Sequence, residues 1–480
     1  MGQAVSPVPG PIADLPTLSG ALAGLGDPGP QPWQQAPRRD LPASTVHEVE
    51  WKLVVALRRQ AVEQITEARE DWLQQHGTPM PEEDRRVQGR SIVRAVVRAH
   101  VEQLGRQGAA LWPLELEDRY AEAIADAIFG YGRLTPVLSI PEAENIEISG
   151  WDSVVVQYPD GRRVAHPPVA DSDEELIEIV RFLGETATPP RPFDDAHPTM
   201  TLALGSQFRL HAIGFGLSHR PSVIIRQHTL TSVTLHDLAQ RGMMPLEVAH
   251  LLSRAVLARR SIVISGDQGA GKTTLLRALI AEIPEHERFG TLETDFELLT
   301  HLQPNRRNML ALQARSGMGE QVGGRRVGDW SVADLIPEAL RQNLSRLVVG
   351  EVRGAEAGAM MEAMVSGAGT LSTTHSHSAA STIDRLAARV AQGGVLGIEE
   401  ALHQIAHHID LIVHVRLEDE TWRGGLRRRF VSEIRHLTGA VEAGRPSTHL
   451  VYTSGPPASF TPEARFAQEL SRFARPSWER

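Results

Sequence analysis

Residues 266–273 read Gly-Asp-Gln-Gly-Ala-Gly-Lys-Thr, and Thr274 follows. Ser261-Ile-Val-Ile-Ser265 leads into this stretch as a buried strand, and Thr273–Ile280 leaves it with helical periodicity. A strand, a Gly-x4-Gly-Lys-Thr turn and a helix are the context of a phosphate-binding loop. Gly266, Gly269 and Gly271, with the small Ala270 between them, let backbone N–H groups curl around a phosphate. Thr273 and Thr274 open the helix, whose N-terminus adds partial positive charge. Lys272 is expected to reach the β- and γ-phosphates of ATP, and the Thr273 hydroxyl to ligate magnesium. The strand and helix on either side argue against a chance match in a glycine-containing chain.

The rest of the chain is too long for one core. At 480 residues, two or three domains are expected. Residues 1–44 hold 9 of the 31 prolines and are expected to stay disordered. Thr45–Glu48 reads as a capping box, followed by apolar residues Val49, Leu53, Leu57, Ala61, Ile65 and Trp72 on one helical stripe. With helices near 82–104 and 116–129, residues 45–129 read as a small packing bundle. Residues 130–228 change to strand alternation, as in Asn145–Ser149 and Val154–Tyr158, around one helix capped at Ser172, which is an α+β domain. Residues 229–244 read as a linker with a short helix, 245–437 as alternating strands and helices of an α/β domain, and 438–480 as a loose tail with one helix at 462–474.

Composition narrows the function. There are no cysteines, which excludes disulfides and thiolate zinc sites. The net charge of −10 argues against non-specific DNA binding as the main role, leaving nucleic acid disfavoured but not excluded. No apolar run approaches the ~18 residues of a membrane span, and the N-terminus lacks a signal-peptide pattern.

Three further blocks carry chemistry. In Arg346-Leu-Val-Val-Gly-Glu351-Val-Arg353-Gly354 a carboxylate sits just past a buried strand, where it can act on magnesium or the attacking water. Thr291-Leu-Glu293-Thr-Asp295-Phe-Glu297 places three acids after another strand, either as a magnesium or water-positioning cluster or as a charged loop. Thr370-Leu-Ser-Thr-Thr-His375-Ser-His377 ends a third strand at His375, where imidazole can bond a γ-phosphate; metal binding by His375 and His377 is the rival reading. His403, His407 and His408 read as a solvated helix face. Arg423 and Arg427–Arg429 flank Gly424-Gly425 in a basic hairpin that is expected to be exposed, with acidic lipid or a partner protein as the alternative reading.

These blocks, in this order, resemble the type II/type IV secretion ATPase superfamily, with its Walker A loop, aspartate box, Walker B strand and histidine box. Arg341 with Gly350–Gly354 resembles the Walker B neighbourhood, and Thr370–His375 the Thr-Thr-x-His box. Gly130–Leu138 and Ile146–Gly150 resemble the start of the family's N-terminal domain. The helical bundle and the absence of cysteine are similar to the tight-adherence pilus (CpaF-like) branch. The resemblance implies an α/β fold: a RecA-like P-loop NTPase domain preceded by an α+β N-terminal domain and a small helical bundle. It also implies a homo-oligomer, a hexamer, working from the cytoplasmic face of the membrane on an integral membrane platform protein of a pilus or secretion system. Glu293 would hold magnesium, Glu351 would activate water, and Arg209 and Arg226 would approach the phosphates. Three departures bear on turnover: Glu293 is followed by Thr294 rather than Asp, Gly367–Gly369 is short and lacks a His, and His377 stands where Asn is usual. Two rival functions remain open, a nucleotide-gated scaffold with little turnover and a conjugative DNA-transfer ATPase.

Overall fold

The computed structural model describes residues 49–473 except 188–189, 229, 316, 318–319, 355, 367–368 and 395. The expected tail 1–44 and the Thr45–Glu48 capping box lie outside the described residues. Helices Trp51–His76, Glu82–Arg106 and Leu114–Phe129 follow. Val54, Leu57, Ala61 and Ile65 recur at helical spacing and are buried; the first three join Val93, Val97 and Ile124 of the other two helices in one core. Gly77, at φ 68°, takes the left-handed turn that ends the first helix.

The next six strands are β1 Asn145–Ser149, β2 Val154–Gln157, β3 Arg163–His166, β4 Thr199–Leu204, β5 Phe208–Ile213 and β6 Ser222–Gln227. They form an antiparallel sheet in the order β3-β2-β1-β6-β5-β4. Strand alternation puts Ile146, Ile148, Leu210 and Ile225 in the core with Leu176 and Val180 of the helix Asp173–Thr186. The opposite face carries Arg209 and Arg226, which are register partners across β5 and β6. This face looks toward the nucleotide-binding domain.

That domain follows the helices Leu235–Gln240 and Leu246–Leu257. Its strands are β7 Ile262–Gly266, β8 Phe289–Glu293, β9 Met309–Gln313, a separate small hairpin of β10 Gln321–Val322 and β11 Arg325–Arg326, then β12 Arg346–Val352, β13 Leu371–Thr374, β14 Leu411–Asp419, β15 Arg427–Glu442, β16 Arg445–Thr453 and β17 Ser459–Phe460. Among the described residues, nine of them make one sheet in the order β17-β16-β15-β14-β7-β13-β12-β8-β9. From β14 to β9 every neighbour is parallel, and β15 to β17 continue antiparallel. Ile262 and Ile264 of β7 pack on the side of helices Leu246–Leu257 and Lys272–Ala281, and Val263 on the side of Glu356–Ser366 and Ala379–Gln392. A sheet covered on both faces explains the unbroken apolar runs Ile262–Ile264 of β7 and Leu347–Val349 of β12. This is the α/β, RecA-like arrangement, with its active ends at the strand C-termini.

The loose tail expected from 438 onward is corrected, except for its helix, expected at 462–474 and found at Ala464–Ser471. β15 runs on to Glu442, β16 and β17 extend the sheet, and helix Ala464–Ser471 buries Phe466 and Leu470 in the main core beside Val451. The segment hid because β16 is largely half-buried and interrupted by Pro446, Thr448 and His449, so its apolar alternation is faint.

Candidate active site

Three parallel strands end side by side. β7 ends at Gly266, β13 at Thr374 and β12 at Val352, and each carries one of the expected blocks. Gly266 sits at φ 150°, where a Cβ would drive into the Val415 carbonyl oxygen of β14. Gly271, at φ 95°, is the N-cap of helix Lys272–Ala281, and only glycine adopts that backbone without strain. Ala270 between them is buried. Thr273 and Thr274 open the helix at the edge of a cleft of about 1300 Å³, which Arg226 and His228 of the N-terminal domain also line.

Lys272 lies across the loop. Its Nζ donates to the carbonyls of Gly266, at 3.0 Å, and Asp267, at 2.8 Å, and stands 3.3 Å from His375 Nδ1. Burial pulls the ammonium down to about 8, against the pull of Glu351 and Asp267. Because an ammonium only donates, His375 Nδ1 accepts and the ring proton lies on Nε2. Burial first, and then Lys272, lower the His375 pKa, so the ring is neutral at pH 7. Nε2 lies 2.8 Å from Glu351 Oε1 but off the line of a hydrogen bond, and that buried oxygen has no hydrogen-bond partner. The other oxygen of Glu351 accepts from Arg353 Nη2. Burial pushes the Glu351 carboxyl up, but Arg353, His375 and Lys272 outweigh it and hold it below its ordinary value.

The position of Glu351 differs from the expectation. It lies inside β12 rather than just past the strand's end. The pairing of β12 with β13 shifts between Val349 and Val352, so three steps along β12 match two, Ser372 to Thr374, along β13. Such a bulge re-aims a side chain without ending the strand. Thr373 Oγ1 pins it by donating to Gly350 O at 2.6 Å, and Arg389, from the helix behind, ties Val352 O to Thr374 Oγ1.

Glu293 closes β8 one strand further on. It is 3% exposed, and Oε1 accepts the N–H groups of Glu297, at 2.9 Å, and Leu298, at 2.8 Å. Oε2 is buried with no partner, and burial raises the carboxyl to about 7. Its Cγ lies 3.1 Å from where a Cβ of Gly350 would be, so the two acidic strand tips touch. The donor set fits magnesium: Glu293, with an idle carboxylate oxygen, and the Thr273 hydroxyl are the hard oxygen ligands that would hold it together with phosphate and water oxygens.

Arg209 does not stand over the loop. Nη2 bonds Asp295 Oδ2 at 3.0 Å and Nη1 pairs with Glu297, so the acids after β8 hold it. Arg226 lines the cleft directly. The hairpin arginines are a second correction. Arg427 and Arg429 are not exposed but turn inward to Glu144 of the N-terminal domain, while Arg423 and Arg428 stay exposed. Sequence reasoning also passed over Arg277, which is buried and donates to the carbonyls of Leu230 and Glu297. No local pattern marks either contact. The three-histidine helix face ends helix Ile398–His408, outside this site.

A glycine cradle, a buried lysine and acids at neighbouring strand tips define a P-loop nucleotide-binding protein. The description "Type II/IV secretion system protein" matches residues 183–433. A putative conjugal transfer protein of Mycobacterium tuberculosis is 30% identical over 325 residues, 65% of this chain and 87% of the relative. The type IV secretion system protein VirB11 of Brucella suis is 32% identical over 273 residues, 50% of this chain and 72% of the relative. Among solved structures, the VirB11 ATPase of Brucella suis in complex with sulphate is 25% identical, covers 64% of this chain and 96% of that one, and has a TM-score of 0.33. The DotB ATPase of Legionella pneumophila is 20% identical, with coverages of 64% and 80% and a TM-score of 0.46. The chain belongs to the type II/IV secretion system protein family, and it is an ATPase.

Proposed function

We propose that this ATPase is a motor that powers pilus assembly or protein secretion by hydrolysing ATP at the β7–β13–β12 strand tips. The observation that carries the reading is the contact of Lys272, His375 and Glu351, three groups from three blocks of sequence brought within hydrogen-bonding range. Lys272 holds the β- and γ-phosphates, and Thr273 and Glu293 would hold magnesium, which would supply positive charge to the phosphate oxygens. Glu351, ionised and with one idle oxygen, orients the attacking water. His375 Nε2–H is the donor nearest to it and suits the γ-phosphate oxygens. Arg226 meets the phosphates from the N-terminal domain, and Arg209 joins when it leaves Asp295 and Glu297.

The bundle ahead of the N-terminal domain and the lack of cysteine favour the CpaF-like, tight-adherence branch. The motor works as a homo-oligomeric ring of six at the cytoplasmic face of the membrane, against an integral platform protein. No helix of the described residues is long and apolar enough to cross a membrane itself. A second reading, conjugative DNA transfer, is favoured by the name of the 30% identical Mycobacterium tuberculosis relative. Phosphate release by the purified chain, with and without duplex DNA over a salt series, tests both. The motor reading expects magnesium-dependent release indifferent to DNA. Release stimulated by DNA and lost steeply with salt moves the assignment to DNA transfer. Magnesium-dependent binding with no release leaves only a nucleotide-gated scaffold.

A further inference from the structure

The contact that nothing in the catalytic scheme uses is the one between Glu144, Arg427 and Arg429. Glu144 immediately precedes β1, and its backbone bonds the ends of both neighbouring strands, through Gln157 O and Gln227 N. Its backbone is therefore fixed at the edge of the N-terminal domain, and its side chain lines the same cleft as Arg226. Arg429 Nη2 donates to both Glu144 oxygens, at 2.6 and 2.9 Å, and Arg427 Nη1 to Oε2 at 3.0 Å. The side chains of Glu144 and Arg427 are 13% and 8% exposed, so this is an ion cluster largely withdrawn from water. Nε of Arg429 donates to Gly269 O at 2.7 Å.

Gly269 is the middle glycine of the phosphate loop. Its carbonyl and the N–H of Ala270, which donates to Asp267 O at 3.3 Å, belong to one rigid peptide plane, so Arg429 on the carbonyl adds the shorter of the two bonds that set the curl of the loop. One guanidinium thus grips the N-terminal domain through Nη2 and the phosphate cradle through the neighbouring Nε. We infer that Glu144 and Arg429 are positioning residues that make the phosphate loop's shape depend on how the N-terminal domain is seated. In this arrangement, a displacement of that domain withdraws Glu144, frees Arg429 and lets the Gly269–Ala270 peptide turn. Nucleotide affinity then follows domain position. The inference rests on the ATPase reading of the same loop.

The chemistry separates this role from a plain charge effect. Glu144 lines the cleft beside the loop, so as a bare negative charge it would repel a triphosphate. Removing that charge would tighten binding if electrostatics alone acted, and weaken it if Glu144 acts through Arg429. Likewise, lysine keeps the charge of Arg429 but lacks the fork needed to bond two partners in fixed geometry.

The test is calorimetric titration of the full chain and its variants with a magnesium complex of a non-hydrolysable ATP analogue, alongside steady-state phosphate release. Glu144→Gln should weaken binding by about tenfold, the scale of losing one charge-assisted bond. Arg429→Lys should weaken it at least as much. Glu144→Gln added to Arg429→Lys should cost little more, because the two act as one unit. At saturating ATP, kcat of the Glu144→Gln variant should stay within about threefold of the parent, since no reacting group is lost. Unchanged or tighter binding by Glu144→Gln overturns the proposal, as does full rescue by lysine at 429. Should the Arg429 variant fail to fold, the sign of the Glu144→Gln effect decides alone. A parent chain that binds no analogue refutes the ATPase reading instead, so the two failures are distinguishable.

Discussion

The two ends of the parallel sheet hold the same kinds of residue and use them in opposite ways. At the N-terminal ends of β8 and β12, Arg346 and Glu287 are buried together. Arg346 gives Nε and Nη2 to the two carboxylate oxygens, at 2.9 and 2.8 Å, and Nη1 to Val256 O at 2.9 Å. Ser345 Oγ adds a bond to Glu287 at 2.8 Å. Burial pushes the Glu287 carboxyl up, but Arg346 outweighs it and the group stays ionised. At the C-terminal ends of the same strands, Glu293 and Glu351 each keep a buried oxygen without a partner, and Lys272 is pulled down to about 8. A saturated buried pair pins strands together, while unsaturated buried charge is available to a ligand.

The largest effect that tests this contrast is on turnover. Glu351→Gln keeps the shape of the site and removes the carboxylate. Phosphate release should fall by roughly 10²–10⁴-fold while nucleotide binding stays. Normal release from purified Glu351→Gln protein would break the functional half of the comparison. Next comes stability at the opposite end. Arg346→Ala leaves buried Glu287 with only Ser345 and the exposed Arg259, 3.2 Å away, and should cost about 3 kcal/mol in urea unfolding, whereas Glu351→Gln should change stability by less than ~1 kcal/mol. Equal costs at both ends would mean that the strand tips are as structurally committed as the base.

Glu293 gives a smaller effect with a definite sign. Its folded pKa is raised from 4.5 to about 7 by burial. Between those values the folded chain binds more protons than the unfolded chain, so stability falls as pH rises through the window. The full span is on the order of 3 kcal/mol, one unit being about 1.4 kcal/mol. Urea unfolding at pH 4.5 and pH 8 without nucleotide should show that slope in the parent and lose it in Glu293→Gln. Smaller still is the lysine effect. With Lys272 near 8, a rising share of the ammonium is neutral above that pH. Affinity for magnesium-ATP should then decline by up to about tenfold per pH unit, and a flat profile from pH 7 to 9 would show that the lysine is not the group that titrates.

What the sequence disclosed follows from range. β7 and β12 were legible because a doubly covered parallel strand carries a continuous apolar run, Ile262–Ile264 and Leu347–Val349, and the loop between β7 and its helix is marked by glycines at fixed offsets. Strand alternation likewise exposed β1 to the residue and β2 to within one. The bulge that carries Glu351 was not legible, because it is set by register against β13, more than twenty residues away, and by the Thr373 hydroxyl. Arg429 finds Glu144 across 285 residues, so its hairpin read as merely basic and exposed. β16 failed for a different reason: it borders a half-open part of the sheet and lacks the apolar signature of the centre.

The central claim is that Lys272, held between the loop carbonyls and His375, receives a triphosphate on the glycine cradle. Calorimetry of the full chain and of Lys272→Ala with magnesium-ATP tests it most directly. The account predicts saturable uptake by the parent and a loss of at least about a hundredfold in affinity in the variant, which keeps its fold. Equal uptake by both, or none by a folded parent, would contradict it.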